Sequence, residues 1–542
     1  MNNAVFTFKV PNNEPIKDYF KGSVERNEIE LELTKQGKNT IEIPLIIGGK
    51  EVRTGKTFDV RMPHDHNKVL AECHQATEKE VLMSIEEAKK AKLLWENISW
   101  IDRASIMHKA AELISKKYRN LILASTMLGQ SKNVFQAEID AACELVDFLR
   151  YNVYFASYIY LEQPKSEYGQ LNRLEYRPLE GFVFTISPFN FTAIASNLNM
   201  SVALMGNTTV WKPASTSVLS NYYLMKIFEE AGLPSGVINF LPGSGSLIGK
   251  AVLSHKDLAG IHFTGSNNTL NSLWRGITEN LSDYVSYPRI VGETGGKDFI
   301  FAHKSANPVE VATAIVRGAF EYQGQKCSAV SRVYIPKSIW KEIKEIMISQ
   351  LSEIKVGSVT DFTNFVNAVI EESAFDRIMG YINNSKKSNE CEIVFGGNGD
   401  KSIGYFIEPT VIQTTNPYYI TMQEEIFGPV VTVFVYDDKD YEETLKICDK
   451  TSPYALTGAI FSNDRYATVL ASEMLKYAAG NFYINDKPTG AMVGLQPFGG
   501  ARASGTNDKA GGSLNLLRWV NPRTIKETLM PATDYKYGFM KK

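Results

Sequence analysis

The sequence predicts an α/β protein built on two mostly parallel sheets, and three observations point there. From Gly181 onward, the short apolar runs Phe182–Ile186, Thr209–Lys212, Val237–Leu241 and Gly260–Phe263 alternate with helical stretches near residues 194–205, 216–231 and 246–254. This is the pattern of βαβ units. A second set begins near residue 298, with runs Phe299–Phe301, Arg332–Ile335 and Val430–Val435 separated by helical stretches near 308–322, 338–353 and 367–384. Finally, 542 residues are too many for one core and suit two or three domains.

Before the first set, residues 1–45 read as a polar, partly helical extension. Thr77-Glu78-Lys79-Glu80 is a capping box, and Val81, Ile85, Ala88 and Leu93 then recur at helical spacing. Further helices are expected from about Asp102, and from about Asn133 to Tyr154. Segments 160–179 and 511–542 have the polar, tyrosine-bearing composition of extended arms. Two α/β units and two arms suggest a cofactor domain, a catalytic domain and an assembly element. Open parallel sheets bind ligands beyond the carboxyl ends of their strands. Ser187-Pro188-Phe189-Asn190, Lys212-Pro213, Pro242-Gly243-Ser244-Gly245 and Thr264-Gly265-Ser266 all fall at such ends.

Composition narrows the function classes. A net charge of −2 gives no electrostatic reason to expect nucleic acid or an anionic membrane as partner. The five cysteines are scattered, without a CxxC pair, which indicates neither a disulfide framework nor a zinc ribbon and fits a reducing compartment. The stretch Phe182 to Met205 is interrupted by Pro188, Asn190, Asn197 and Asn199, so it reads as a buried strand and helix rather than a membrane span. The first residues lack a basic region followed by an apolar core, and Glu14, Asp18 and Glu25 argue against a transit peptide. The expected location is cytoplasmic.

Cys327 stands in Glu321-Tyr-Gln-Gly-Gln-Lys-Cys-Ser-Ala329. A free cysteine is usually a small core hydrophobe. One beside a cation, Lys326, and small polar residues reads as a thiol disposed to ionise and be reached. Glu293, in Gly292-Glu-Thr-Gly-Gly-Lys297, precedes paired glycines that admit close backbone approach, and its carboxylate suits a general base. Lys212 ends a strand and can reach a hydroxyl or phosphate. Gly265-Ser266 opens a helix, a ready anion site. The fingerprint GxGxxG is absent, so an ordinary dinucleotide site is not indicated. Glu424-Glu-Ile-Phe-Gly-Pro429 forms an acidic-aromatic turn. His64-Asp65-His66 lacks a third ligand at metal spacing and reads as a solvated loop, so no metal is expected.

Taken together, Ser187-Pro-Phe-Asn-Phe191, Phe263-Thr-Gly-Ser266, Glu293-Thr-Gly-Gly-Lys297, Gly324-Gln-Lys-Cys327 and Glu424-Glu-Ile-Phe-Gly-Pro429 resemble the aldehyde dehydrogenase superfamily. Asn485-Asp-Lys-Pro-Thr-Gly490 and the run from Gln496 to Gly512 narrow the resemblance to its glutamate-semialdehyde-oxidising branch, over nearly the whole chain. The resemblance implies a Rossmann-type NAD-binding domain (1–159 with the extension, and 180–292), an α/β catalytic domain (293–510), and an oligomerisation arm and tail (160–179 and 511–542). It implies a homodimer or higher homo-oligomer acting on a small molecule. Cys327 becomes the nucleophile, Asn190 and the Cys327 amide the oxyanion hole, and Glu293 the base that activates water. Toward NAD it places Ser187, Pro188, Lys212, Ser215, Gly265, Ser266, Glu425 and Phe427. Toward substrate it places Ser328, Gly490 and Ala491 at the carboxylate, Phe191 and Phe498 around the chain, and Glu144 near the ammonium, with Lys326 beside the thiol. Ser215 stands where many NAD-dependent relatives have glutamate, Leu270 where many have glycine, and Ala491 where some have serine.

Overall fold

The computed structural model describes residue 6 and residues 8–541; the remaining positions of the expected N-terminal extension, 1–5 and 7, lie outside the described residues. Two seven-stranded sheets organise the chain. The first runs, in spatial order, Arg289–Glu293, Leu258–Thr264, Phe182–Ile186, Thr209–Lys212, Ile238–Phe240, Leu45–Ile47 and Lys50–Val52. Its first five strands are parallel, and the last two are antiparallel additions from the N-terminal part. Strand Leu258–Thr264 is buried at every position, as a parallel strand covered by helices on both faces must be. The strand order reverses between Phe182–Ile186 and Leu258–Thr264, which opens a crevice at their carboxyl ends.

The second sheet runs Cys391–Phe395, Thr410–Thr414, Val430–Tyr436, Val330–Pro336, Asp298–Ala302, Thr457–Phe461 and Asn481–Ile484. All neighbours are parallel except the first pair. The short loop after Glu293 joins the carboxyl end of a first-sheet strand directly to the amino end of Asp298–Ala302. The two sheets therefore face each other with opposite ends.

The α/β class holds, with local differences. The helix expected near 367–384 starts only at Glu372; the apolar run before it, with Val369 and Ile370 buried, is extended and braces a turn described below. Helix Arg119–Gln130 was not anticipated, because ten of its twelve residues are buried and its polar face is nearly absent. The capping box forms: the Thr77 N–H donates to the Glu80 carboxylate at 3.0 Å. The segment 511–542 is not arm throughout. Ser513–Leu517 is helical and Trp519 is fully buried in the main core. Only Val520–Thr528 extends, pairing antiparallel with Gln170–Pro178. The His64 turn is not solvated either: His64 is 6% exposed, and His66 stacks on Tyr405 with ring centroids 5.2 Å apart. Among the described residues no helix is long and apolar enough to cross a membrane.

Candidate active site

The crevice of the first sheet is a cleft of about 960 Å³ lined by Ser187, Pro188, Asn190, Lys212, Gly265 and Ser266 on one side and by Cys327, Glu425 and Phe427 on the other. Ser187 leaves its strand with its hydroxyl accepting from the Trp211 indole N–H at 3.0 Å. Ser266 caps helix Asn267–Glu279 by accepting from the Thr269 N–H at 3.3 Å, and the helix N-terminus faces the cleft with its partial positive charge. Lys212 is half-buried, and burial alone pushes its ammonium below the ordinary lysine range, with no acidic neighbour opposing. Ser215 is exposed on the short turn Ser215–Ser217 and does not line the cleft; Ala214 does. Leu270 is buried among core side chains. This donor set, cation, helix N-terminus and carboxylate around a long cleft, fits a dinucleotide.

The opposite wall forms at the amino ends of three adjacent second-sheet strands, where the expectation of carboxyl-end binding does not hold. Cys327 lies just before Val330–Pro336, Gly295-Gly296 before Asp298–Ala302, and Glu425–Phe427 before Val430–Tyr436. Cys327 is delivered by a left-handed turn: Tyr322, Gln323 and Gly324 have φ of +51°, +54° and +66°. Two non-glycine residues there cost about 1–2 kcal/mol each. Hydrogen bonds hold them, from the Tyr322 hydroxyl to the Gln130 carbonyl and from Gln323 Nε2 to the Ser131 and Ala368 carbonyls, each at 2.9 Å. A side chain on Gly324 would place its Cβ 2.2 Å from the Gly428 carbonyl oxygen. Asn190 Nδ2 donates to the Gln325 carbonyl at 3.1 Å, tying the first sheet's loop to the cysteine turn. The paired glycines allow two close approaches: a Cβ would fall 1.9 Å from the Glu425 carboxylate at Gly295 and 2.4 Å from the Cys327 carbonyl at Gly296.

Electrostatically this wall differs from the sequence reading. Cys327 is only 9% exposed, and burial, then the carboxyls of Glu293, Asp298 and Glu425, push its thiol well above the ordinary cysteine range. Lys326 does not offset this, because its ammonium donates to Glu321 at 3.0 Å and both are buried. Burial raises Glu293 to about 8, against a smaller lowering by Lys509, and its Oε1 has no hydrogen-bond partner. Burial raises Glu425 to about 7, although the Gly296 N–H donates to it at 3.0 Å. Burial lowers Lys297 to about 7, and its Nζ is also unpartnered.

Glu293 lines a second, smaller cavity of about 50 Å³ together with Glu144, Phe498 and Lys509; Phe263 and Thr264 wall both spaces. Burial and then Asp140 raise Glu144 well above the usual carboxylate range. Beside the cysteine, the Ser328 and Thr489 hydroxyls lie 2.8 Å apart, and Lys487 donates to the Thr489 carbonyl at 3.0 Å, just before the exposed Gly490 and half-exposed Ala491. Phe191 lines neither cavity; its ring lies under the Lys132 ammonium, 4.1 Å from the centroid. Sequence reasoning missed Thr489, Lys509 and Asp140. The first two stand in quoted motifs without a role, whereas Asp140, paired with Lys132 at 2.7 Å, accepts from the Thr192 and Ala193 N–H groups at 3.0 and 2.8 Å, contacts that no motif announces.

A buried thiol, an amide and a high-pKa carboxyl thus stand around a dinucleotide-sized cleft. The aldehyde dehydrogenase family profile matches residues 51–525, and the chain belongs to that family. It is 53% identical over 98% of its length to delta-1-pyrroline-5-carboxylate dehydrogenase, mitochondrial, of Dictyostelium discoideum, covering 96% of that protein. The NAD-bound delta-pyrroline-5-carboxylate dehydrogenase of Mycobacterium tuberculosis superposes with a TM-score of 0.96 at 47% identity, covering 100% of both chains. The NAD-bound Thermus enzyme does so with a TM-score of 0.90 at 31% identity, covering 96% of this chain and 100% of that one.

Proposed function

We propose that this chain oxidises L-glutamate γ-semialdehyde, the open form of 1-pyrroline-5-carboxylate, to L-glutamate in proline catabolism. Three relatives named for that substrate support the reading. The observation that carries it is local: Ser328, paired with Thr489 beside Gly490 and Ala491, stands one residue from Cys327. An anchor for a carboxylate and a thiol for the aldehyde then measure the substrate's length. NAD, when bound in the cleft, would supply the hydride acceptor.

The Cys327 thiol gives its proton to water as its sulfur attacks the aldehyde carbon, and Asn190 Nδ2 with the Cys327 N–H receives the oxygen's developing charge. One such donor is worth about 2.7–4 kcal/mol. After oxidation the acyl group is a thioester on Cys327. Glu293, once ionised, takes a proton from water, which hydrolyses the thioester to glutamate. Ser187, Pro188, Lys212, Gly265, Ser266, Glu425 and Phe427 would hold the cofactor. Phe498 flanks the aliphatic chain, Glu144 faces the ammonium, and Lys326 fixes Glu321 rather than the substrate, whereas Phe191 packs under Lys132. Residues 1–159 and 180–292 act as the NAD domain and 293–510 as the catalytic domain. The ribbon of Gln170–Pro178 and Val520–Thr528 alternates half-buried and exposed positions on its first strand. An isolated two-stranded ribbon is marginal in water, which supports its docking on a second copy in a homodimer or higher oligomer.

One assay tests this: NAD and NADP reduction with pyrroline-5-carboxylate and with succinate semialdehyde. The expected result is higher kcat/KM for the first substrate, because the shorter one leaves desolvated anchor groups unpaired. Equal values for the two aldehydes would sink the assignment.

A further inference from the structure

Residues 11–19 run against both the helix Leu145–Leu161, which continues from Glu144, and the loop that follows Gly490 and Ala491. Asn13 Nδ2 donates to Asp147 Oδ2 at 2.7 Å and to the Val493 carbonyl at 2.8 Å. The Glu14 N–H donates to the other Asp147 oxygen at 2.8 Å. The Tyr151 hydroxyl lies 2.8 Å from the Pro11 carbonyl and 3.1 Å from Asn13 Oδ1. The Tyr151 ring packs on Gly494, where a Cβ would come within 2.2 Å of it. Glu14 is in turn fixed by Arg119 at 2.7 Å, Arg150 at 2.8 Å and Ser115 at 2.7 Å. Among the described residues, the hydrogen bond to the Val493 carbonyl comes from Asn13, and the Tyr151 contact is itself oriented by residues 11 and 13.

We propose that Asn13 is a positioning residue for the substrate. By joining Val493 to Asp147 it sets the spacing between the Gly490–Ala491 amides and Glu144, the groups that meet the two charges of the amino-acid end. This rests on the proposed function. None of Asn13, Asp147, Tyr151 and Val493 lines either cavity, so Asn13 acts through the groups it positions and not by touching a ligand. A hydrogen-bonded bridge to a charged group is strong enough to matter there.

The experiment uses the full chain with Asn13→Ala, Asn13→Asp and Tyr151→Phe. It measures KM for glutamate semialdehyde, Kd for L-glutamate, Kd for NAD, and kcat/KM for propanal, which has no amino-acid end. Asn13→Ala is expected to raise the semialdehyde KM and the glutamate Kd about tenfold. Asn13→Asp raises them further, because it sets a second carboxylate against Asp147, and Tyr151→Phe raises them by about threefold. NAD affinity and propanal turnover stay within about twofold of wild type. Unchanged KM and glutamate Kd in the Asn13 variants overturn the inference, even if Tm falls, because a merely structural clamp gives that result. Should the Asn13 variants fail to fold, Tyr151→Phe decides by the same readouts. An active wild type with insensitive variants counts against this inference alone, whereas a wild type inert toward the semialdehyde overturns the proposed function with it.

Discussion

Where the first sheet meets the cleft, its groups are half-exposed or already hydrogen-bonded: Ser187 is bonded to Trp211, Ser266 to its own helix, and Lys212 is half-exposed. On the opposite wall, formed by the second sheet and the Glu293–Lys297 connection that leads into it from the first, they are buried and several lack partners, among them Glu293 Oε1 and Lys297 Nζ. A buried polar group without a partner costs about 1–3 kcal/mol, so the second wall concentrates a stability cost that the first does not carry. The contrast separates binding from chemistry. The first wall offers charge and backbone to a ligand that arrives from water, and the second keeps reactive groups dry so that a small change in protonation alters what they can do.

If that division is right, changes on the second wall abolish turnover and spare cofactor binding. The largest effect is expected for Cys327→Ala, a loss of at least about 10⁴-fold in NADH formation with NAD affinity retained. Normal turnover by the variant would remove the mechanism. Next is Glu293→Gln, with about 10²–10⁴-fold slower steady-state turnover and a burst of NADH close to one per site, because the thioester forms but is not hydrolysed. In the wild type kcat should rise with pH through about 8, as Glu293 ionises, and this limb should vanish in the variant. The stability sign is opposite. Between the ordinary glutamate pKa and about 8 the folded protein binds a proton that the unfolded chain has released, so stability falls as pH rises through that window. Glu293→Gln removes this dependence, and its Tm should exceed that of the wild type by a margin that widens from pH 6 to pH 9. A constant margin would mean that Glu293 is not the titrating group.

The same contrast explains what was legible in the chain. The first wall was readable because strand ends announce themselves: Lys212-Pro213 and Gly265-Ser266 follow apolar runs, and the open crevice of a parallel sheet follows from strand order. Its one miss, Ser215, is an exposed residue at the start of the short turn Ser215–Ser217, while its neighbour Ala214 lines the cleft. On the second wall the resemblance placed Cys327, Glu293 and Glu425, but not their protonation. Lys326 beside Cys327 suggested an ionised thiol, and only the fold shows that Glu321, five residues back, takes the ammonium. Amino-end placement was equally hidden, because it depends on how two sheets face each other. Asp140 pairs with Lys132 eight residues back, but the Thr192 and Ala193 N–H groups that it also holds lie more than fifty residues away.

The smallest effect expected belongs to the first wall and sharpens the comparison from the other side. Lys212→Met should weaken NAD binding by about tenfold, some 1.4 kcal/mol, while kcat at saturating NAD stays within about twofold of wild type. The apo protein should move the other way. The Lys212 ammonium is partly desolvated with no acid to balance it, and removing that charge relieves a folding cost, so apo Tm should rise slightly while the Tm gained on adding NAD shrinks. Opposite signs from one substitution identify a residue held for its ligand. A variant that loses Tm in both states, or loses kcat rather than affinity, would show that Lys212 belongs to the scaffold or to the chemistry, and the line drawn between the two walls would have to move.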